Sequence, residues 1–177
     1  MRKLSGKEIA LSGISAALAI VFILGAVYVP NLTLSGYVLS AISISLPLIK
    51  NLFISSLFSY IVSSVIAFIL ASTKMLPFIF FFGLYALIIW LLDFRFLLIE
   101  KIAKWIKITT ILVVKIGYFF GVFFGCFYLM KLTVTDFSFF GKTLQMGWLI
   151  LIAFVIFVLY DFVYREIFKI VQKKLIN

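Results

Sequence analysis

The sequence contains no histidine, one cysteine and only six acidic residues in 177. Without histidine, Ser-His and Cys-His catalytic pairs and the HExxH zinc motif cannot form. Cys126 has no second cysteine for an intramolecular disulfide, and it lies in an apolar run, where cysteine usually packs as a small hydrophobe. The few acids are scattered, which argues against a conventional metal site. The composition therefore predicts no enzyme activity, no metal and no cofactor.

Charged residues are also scarce, since they make up 12% of a chain that is 66% apolar. A soluble domain has roughly 25% charged residues. Most of the surface is therefore predicted to face lipid, in a single integral membrane domain covering residues 1–177. The net charge of +10 does not indicate nucleic acid, because the basic residues form short clusters between apolar runs. Such clusters are typical of anchors that contact phospholipid headgroups.

Apolar runs of about 20 residues predict membrane-spanning helices. Six runs predict an all-α bundle of six transmembrane helices, at residues 8–29, 32–49, 52–71, 76–92, 108–130 and 146–164. The first run follows a basic start, but it is too long for a typical signal peptide and is interpreted as a retained helix. Residues 93–107 and the tail after Tyr164 alternate charged and apolar groups at helical spacing, which predicts helices lying in the membrane interface.

The distribution of lysine and arginine predicts the orientation. With both termini in the cytoplasm, twelve of the 16 basic residues fall in inside segments, and Lys115 falls within a span. The outside loops then hold three, namely Lys74, Lys131 and Lys142. This bias satisfies the positive-inside rule and requires an even number of crossings, a condition that six helices meet.

Three predicted helices carry small residues at spacings that allow close helix packing in a bilayer. In the third and fifth helices these are Ser55, Ser59, Ser63, Ala67 and Ala71, and Gly117, Gly121 and Gly125. Both ladders predict packing inside the bundle. The first helix has seven small residues among residues 10–19, more than one internal neighbour requires. Its face with Ala10, Gly13 and Ala17 is interpreted either as further internal packing or as a docking surface for a second protein.

Two ionisable residues lie inside predicted spans, where a charge is costly. Lys115 in the fifth helix and Asp161 in the sixth both fall in the predicted cytoplasmic half, so they are interpreted as a structural ion pair. In the alternative, Lys115 reaches the headgroups and Asp161 pairs with Arg165 one turn later. A proton relay would require more carboxylates or histidines along a path.

Polar and aromatic residues collect toward the predicted outer side. Each one alone is typical of an interfacial belt, but together they are predicted to line an outward cavity that stacks a flat ligand. The candidate substrate-binding residues are Asn31, Tyr37, Lys74, Tyr85, Tyr128, Gln145 and Trp148, with Asp136 and Tyr118 as further members. Lysine outnumbers aspartate in the outer loops, which slightly favours an anionic ligand.

The first predicted helix opens with the stretch KEIALSGISAALA at residues 7–19, after a basic start. With its length, six predicted helices and inside termini, the whole chain resembles the substrate-binding S component of energy-coupling factor (ECF) vitamin transporters. The stretches FFGLY at 81–85 and LYD at 159–161 are also similar to such proteins. Family members carry an Ala-x-x-x-Ala motif in the first helix, and the nearest equivalents here are Gly13-x-x-x-Ala17 and Ser12-x-x-x-Ala16.

The resemblance implies a binder of a vitamin or related micronutrient in the bacterial cytoplasmic membrane, with its site in the outer half under the connection between the first two helices. It also implies that Ala10, Gly13 and Ala17 dock on a membrane-embedded T subunit that works with two ABC ATPases. Consistent with a subunit that hydrolyses nothing itself, the chain has no GxxxxGK[ST] motif. Two other interpretations stay open: a non-transporting membrane scaffold of the rod-shape-determining type, and an autonomous small-molecule carrier.

Overall fold

The computed structural model describes residues 5–29, 31–96, 103–129, 138–139, 142–143 and 145–176. Helix dominates these residues, as the sequence predicts. The helices are α1 (Gly6–Tyr28), α2 (Thr33–Ile49), α3 (Phe53–Ala71), α4 (Pro77–Arg95), α5 (Lys104–Leu129) and α6 (Met146–Ile176). A 3-10 turn, Ser72–Met75, connects α3 to α4, and the two-residue strands β1 (Ser138–Phe139) and β2 (Lys142–Thr143) pair antiparallel.

The helices differ in their ability to cross a bilayer. Among the described residues, α1, α3, α4, α5 and α6 are long and apolar enough to do so, whereas α2 is an apolar helix of 17 residues. Within α4, Pro77–Gly83 and Trp90–Arg95 are wound as π-helix on either side of α-helical Leu84–Ile89.

Two helices continue past the charged residues at which they were predicted to end. The predicted interfacial segment 93–107 is divided, because α4 continues to Arg95 and α5 begins at Lys104, with 97–102 outside the described residues. The tail after Tyr164 continues α6 to Ile176 instead of forming a separate helix. No proline or glycine occurs between Leu84 and Phe96 or after Gly147, so nothing in the backbone stops either helix where its charges begin.

The chain forms two compact units. The first unit, Met1–Glu100 with Tyr164–Asn177, holds α1 to α4 and the C-terminal part of α6, and the second, Lys101–Val163, holds α5 and the N-terminal part of α6. In the first unit, α1 begins with a capping box. The Ser5 amide donates to Glu8 Oε2 at 2.8 Å, and the Glu8 amide donates to Ser5 Oγ at 3.3 Å. These two bonds satisfy amides that the first turn of a helix leaves without partners.

Small side chains bring α1 against α2. A Cβ built on Gly36 would lie 2.7 Å from Ala26 Cβ and 2.8 Å from the Phe22 carbonyl oxygen, so only glycine permits this separation. On the α1 side of the contact, Ala19 and Ile23 are completely buried. Close approach of backbones through small residues is how membrane helices associate, since lipid provides no hydrophobic drive between them.

Serine hydroxyls connect α3 to both preceding helices. Ser12 Oγ donates to the Ser55 carbonyl at 2.8 Å, and Ser59 Oγ donates to the Ser12 carbonyl at 2.9 Å, which joins α1 to α3. Ser56 Oγ donates to the Ile44 carbonyl on α2 at 2.6 Å. The α3 ladder therefore packs inside the unit, as predicted, with Ser55, Ser59, Ser63 and Ala67 buried.

Tyr164, on α6, is a large buried residue that contacts both α2 and α4 within the first unit. Its hydroxyl contacts Ser45 Oγ on α2 and donates to the Ala86 carbonyl on α4 at 3.4 Å. Nearby, Arg165 Nε lies 3.6 Å from Asp93 Oδ2. Tyrosine at this depth requires hydrogen-bond partners, and the fold supplies them.

The second unit packs around Phe119, which is completely buried on α5. Its ring centroid lies 5.3 Å from those of Phe154 and Phe157 on α6. The predicted internal packing of the α5 glycines is wrong for this unit, because a Cβ on Gly117, Gly121 or Gly125 would meet nothing within 4 Å. Bulky aromatic rings, not glycines, form the contact between α5 and α6.

Candidate functional site

Helix α1 has two distinct small-residue faces. One is buried and carries Ser15, Ala16 and Ala19 toward the interior of the first unit. The other carries Ala10, Gly13 and Ala17, all exposed, and a Cβ on Gly13 would meet nothing within 4 Å. The residues predicted to dock a partner are therefore brought together on one open surface, which we call the α1 face.

A groove of about 340 Å³ borders the α1 face on its α3 side. Its small-residue floor is formed by Ser12, Gly13, Ala16 and Ser59, and its larger lining residues are Ile9, Phe58 and Val62. The Ser12 and Ser59 hydroxyls already donate hydrogen bonds to carbonyls of α3 and α1. A partner would therefore be recognised by its fit to the groove more than by hydrogen bonds to these hydroxyls. Such a surface suits the apolar side of another helix.

The structure brings together two predicted substrate-binding residues, Tyr37 and Lys74, through the backbone. The Tyr37 hydroxyl donates to the Lys74 carbonyl at 2.9 Å, and its ring centroid lies 5.6 Å from that of Phe82. Tyr37 is buried, whereas Lys74 is exposed. The hydroxyl that was expected to meet a ligand therefore ties α2 to the turn after α3. Tyr85 is completely buried, so it reaches a ligand only if the first unit opens.

Asn31 lies in the short connection between α1 and α2, residues 29–32. It is exposed and adopts the left-handed conformation, with φ at 68°, which asparagine tolerates better than most residues. The Leu32 amide donates to the Val29 carbonyl at 3.3 Å, and Tyr28 donates its hydroxyl to the Leu70 carbonyl on α3. These two bonds fix the described residues of the connection and tie the end of α1 to α3.

The remaining predicted substrate-binding residues belong to the second unit. Tyr128 is 84% exposed at the end of α5, while Gln145 and Trp148 are exposed at the start of α6. Tyr118 is half-buried, and Asp136 lies outside the described residues. The predicted set is thus divided between the two units, with three members exposed in the second.

Lys115 and Asp161 form a close ion pair within the second unit. Lys115 Nζ lies 2.9 Å from Asp161 Oδ1, and each side chain is 11% exposed. Pairing lowers the cost of placing two charges at membrane depth. The geometry supports a structural link between α5 and α6.

The polar contacts of Ser12 and the surroundings of Lys50 were not predicted from the sequence. Ser12 donates a hydrogen bond to the backbone of α3. Its position in the small-residue region of α1, among the predicted docking residues, was the sequence signal for a close helix contact. Lys50 lies in the connection between α2 and α3, beside the start of α1. A single lysine in a short apolar connection was the only sequence signal for it.

The described residues include five helices that are long and apolar enough to cross a bilayer, and small residues and interhelical hydrogen bonds contribute to their packing. These features indicate a multi-pass helical membrane protein. No protein-family model, curated protein or solved structure matches the chain.

Proposed function

We propose that this protein is the substrate-binding S component of an ECF-type importer, which captures a vitamin or related micronutrient outside and docks on a membrane-embedded T subunit driven by two ABC ATPases. The observation that carries the proposal is the α1 face. Exposed alanine and glycine leave the backbone of α1 accessible, so a helical partner could approach it closely there. The sequence resemblance in residues 7–19 lies on this same helix.

The proposal includes six crossings with both termini in the cytoplasm. Its support is the concentration of lysine and arginine at one side, with α2 as the sixth and shortest crossing. Single cysteines introduced at Ser5 and Asn177, in a Cys126→Ala background, test it with a membrane-impermeant thiol reagent. Both should be labelled only after the cells are opened, and a cysteine replacing the exposed Asn31 should be labelled in intact cells. Termini labelled on opposite sides would refute six crossings.

The ligand site in this proposal lies at the end of the bundle that carries Asn31, Tyr37 and Lys74. Lys74 provides an exposed positive charge beside an aromatic cluster, which fits a flat ligand with an acidic group. Tyr85 would stabilise the fold beneath the site. Native mass spectrometry of the freshly purified protein should detect a retained small molecule, and Lys74→Ala should weaken its retention.

Docking is tested by substituting the α1 face. Gly13→Leu and Ala17→Leu should abolish copurification of a T subunit and ATPases, because each adds bulk where a partner backbone would approach. Gly117→Leu is the matched control, since that glycine is also open but lies on α5. Complex assembly that survives both α1 substitutions would refute the docking assignment.

The same purification separates the rival interpretations. A membrane scaffold would copurify with envelope proteins and carry no ligand. An autonomous carrier would move substrate into liposomes without ATP. Either result would replace the proposal.

A further inference from the structure

A second groove, of about 510 Å³, also borders the α1 face. It lies on the side of that face away from the first groove, which α1 shares with α3. Its α1 residues are Lys7, Glu8, Ala10, Leu11 and Ile14, and Lys50 and Leu52 of the α2–α3 connection complete it. We call it the lysine groove. It combines two exposed ammonium groups with apolar side chains, and Ile14 is 58% exposed.

The connection that carries Lys50 is held in one conformation. The amides of Lys50 and Leu52 both donate to the Pro47 carbonyl, at 3.1 and 3.0 Å. The Asn51 amide donates to the Leu48 carbonyl at 2.9 Å, and Asn51 adopts the left-handed conformation with φ at 58°. Lys50 and Leu52 therefore have fixed backbone positions beside the first turns of α1.

The charge of the groove is predominantly positive. Among the residues that the structure describes, neither Lys7 nor Lys50 takes part in an ion pair. Glu8 is the one acid among the described residues that line the groove, and its carboxylate accepts the Ser5 amide at the positive end of α1. Two exposed lysines beside leucine and isoleucine are complementary to a negatively charged headgroup and its acyl chain.

We propose that the lysine groove binds an anionic phospholipid, with its phosphate between Lys7 and Lys50 and an acyl chain along Leu11, Ile14 and Leu52. A free anion would use the lysines but would leave the apolar residues uncovered. A zwitterionic lipid would cover those residues but would lack the net negative charge that two lysines attract. This binding is independent of the transport proposal, because it requires neither a substrate nor a T subunit.

Native mass spectrometry with added phosphatidylglycerol or phosphatidylcholine tests the inference on the full-length protein in mild detergent. Each lysine near a membrane surface raises affinity for anionic lipid roughly fivefold, so we expect about a 25-fold preference for phosphatidylglycerol at the first bound lipid. Lys7→Gln/Lys50→Gln should remove most of this preference. Lys7→Arg/Lys50→Arg should retain it, and Ile14→Ser should weaken binding of both lipids.

The matched control is Lys173→Gln/Lys174→Gln, which removes the same charge from exposed positions of α6 and should leave the preference unchanged. Circular dichroism checks that every variant remains helical. Equal binding of the two lipids by the unmodified protein would overturn the inference, as would an equal loss in the control. Displacement of phosphatidylglycerol by millimolar inorganic phosphate would also overturn it, since the site would then hold a free anion.

Discussion

Replacing either Lys115 or Asp161 alone should be the most destabilising change of charge in the second unit. The two groups are 2.9 Å apart, and each side chain is 11% exposed, so removing either one leaves the other charge buried without this partner. Breaking a buried ion pair costs about 3–5 kcal/mol, whereas replacing both members with apolar groups is often neutral. For a chain of this length, 1 kcal/mol corresponds to roughly 2–4 °C in Tm. Lys115→Met or Asp161→Leu should therefore lower Tm by roughly 6–20 °C.

Thermal unfolding in mild detergent measures this as a double-mutant cycle. Lys115→Met/Asp161→Leu should recover most of the Tm lost by either single variant, because neither charge of this pair is then left buried without the other. Glu166→Gln is the matched control. It breaks the exposed Lys169–Glu166 pair, whose side chains are 58% and 47% exposed, and should change stability by less than about 1 kcal/mol. If the double variant is no more stable than the worse single variant, the pair does not account for the stability of this contact.

Two other substitutions, Gly36→Ala and Tyr37→Phe, test the packing of the first unit by the same unfolding assay, with Gly25→Ala as a control. Gly36→Ala should destabilise it by about 1–3 kcal/mol, because the added Cβ meets Ala26 and the Phe22 carbonyl. Gly25→Ala, where the space is open, should be neutral or slightly stabilising, and equal effects at both glycines would contradict the assigned contact. Tyr37→Phe should cost about 1 kcal/mol through loss of the bond to the Lys74 carbonyl, while leaving the ring packing intact. A much larger cost would mean that the hydroxyl has a further role.

The apolar runs were sufficient to predict the first three helices, since α1, α2 and α3 begin and end within two residues of the expected positions. They were not sufficient where charge replaced apolar residues. Charge marks where a chain leaves the bilayer, but a helix ends only where its hydrogen bonding stops, and neither Asp93 nor Arg165 interrupts it.

Residue spacing was less useful for predicting which face of a helix packs against another helix. The ladders of α3 and α5 have the same four-residue spacing, yet Ser59 is buried against α1 whereas a Cβ on Gly121 would meet nothing within 4 Å. Small residues at four-residue spacing show how closely a neighbouring helix could approach, but they do not show whether such a helix is present. Residue spacing also does not show how a buried tyrosine hydroxyl is satisfied. Backbone carbonyls satisfy hydroxyls, and no sequence pattern reveals which carbonyl lies in reach, as the Lys74 carbonyl does for Tyr37.

The π-helical winding at both ends of α4 affects which changes of chain length this helix could tolerate. A π-turn accommodates about one residue more than an α-turn, and its hydrogen bonds run from i to i+5. In the first such segment the Leu84 amide donates to the Ile79 carbonyl, which also accepts the Tyr60 hydroxyl at 2.9 Å. Deleting one residue within Pro77–Gly83 would allow ordinary winding to resume without rotating the following α-helical residues. Homologues with a helix one residue shorter at this point would still present Tyr85 to the same neighbours.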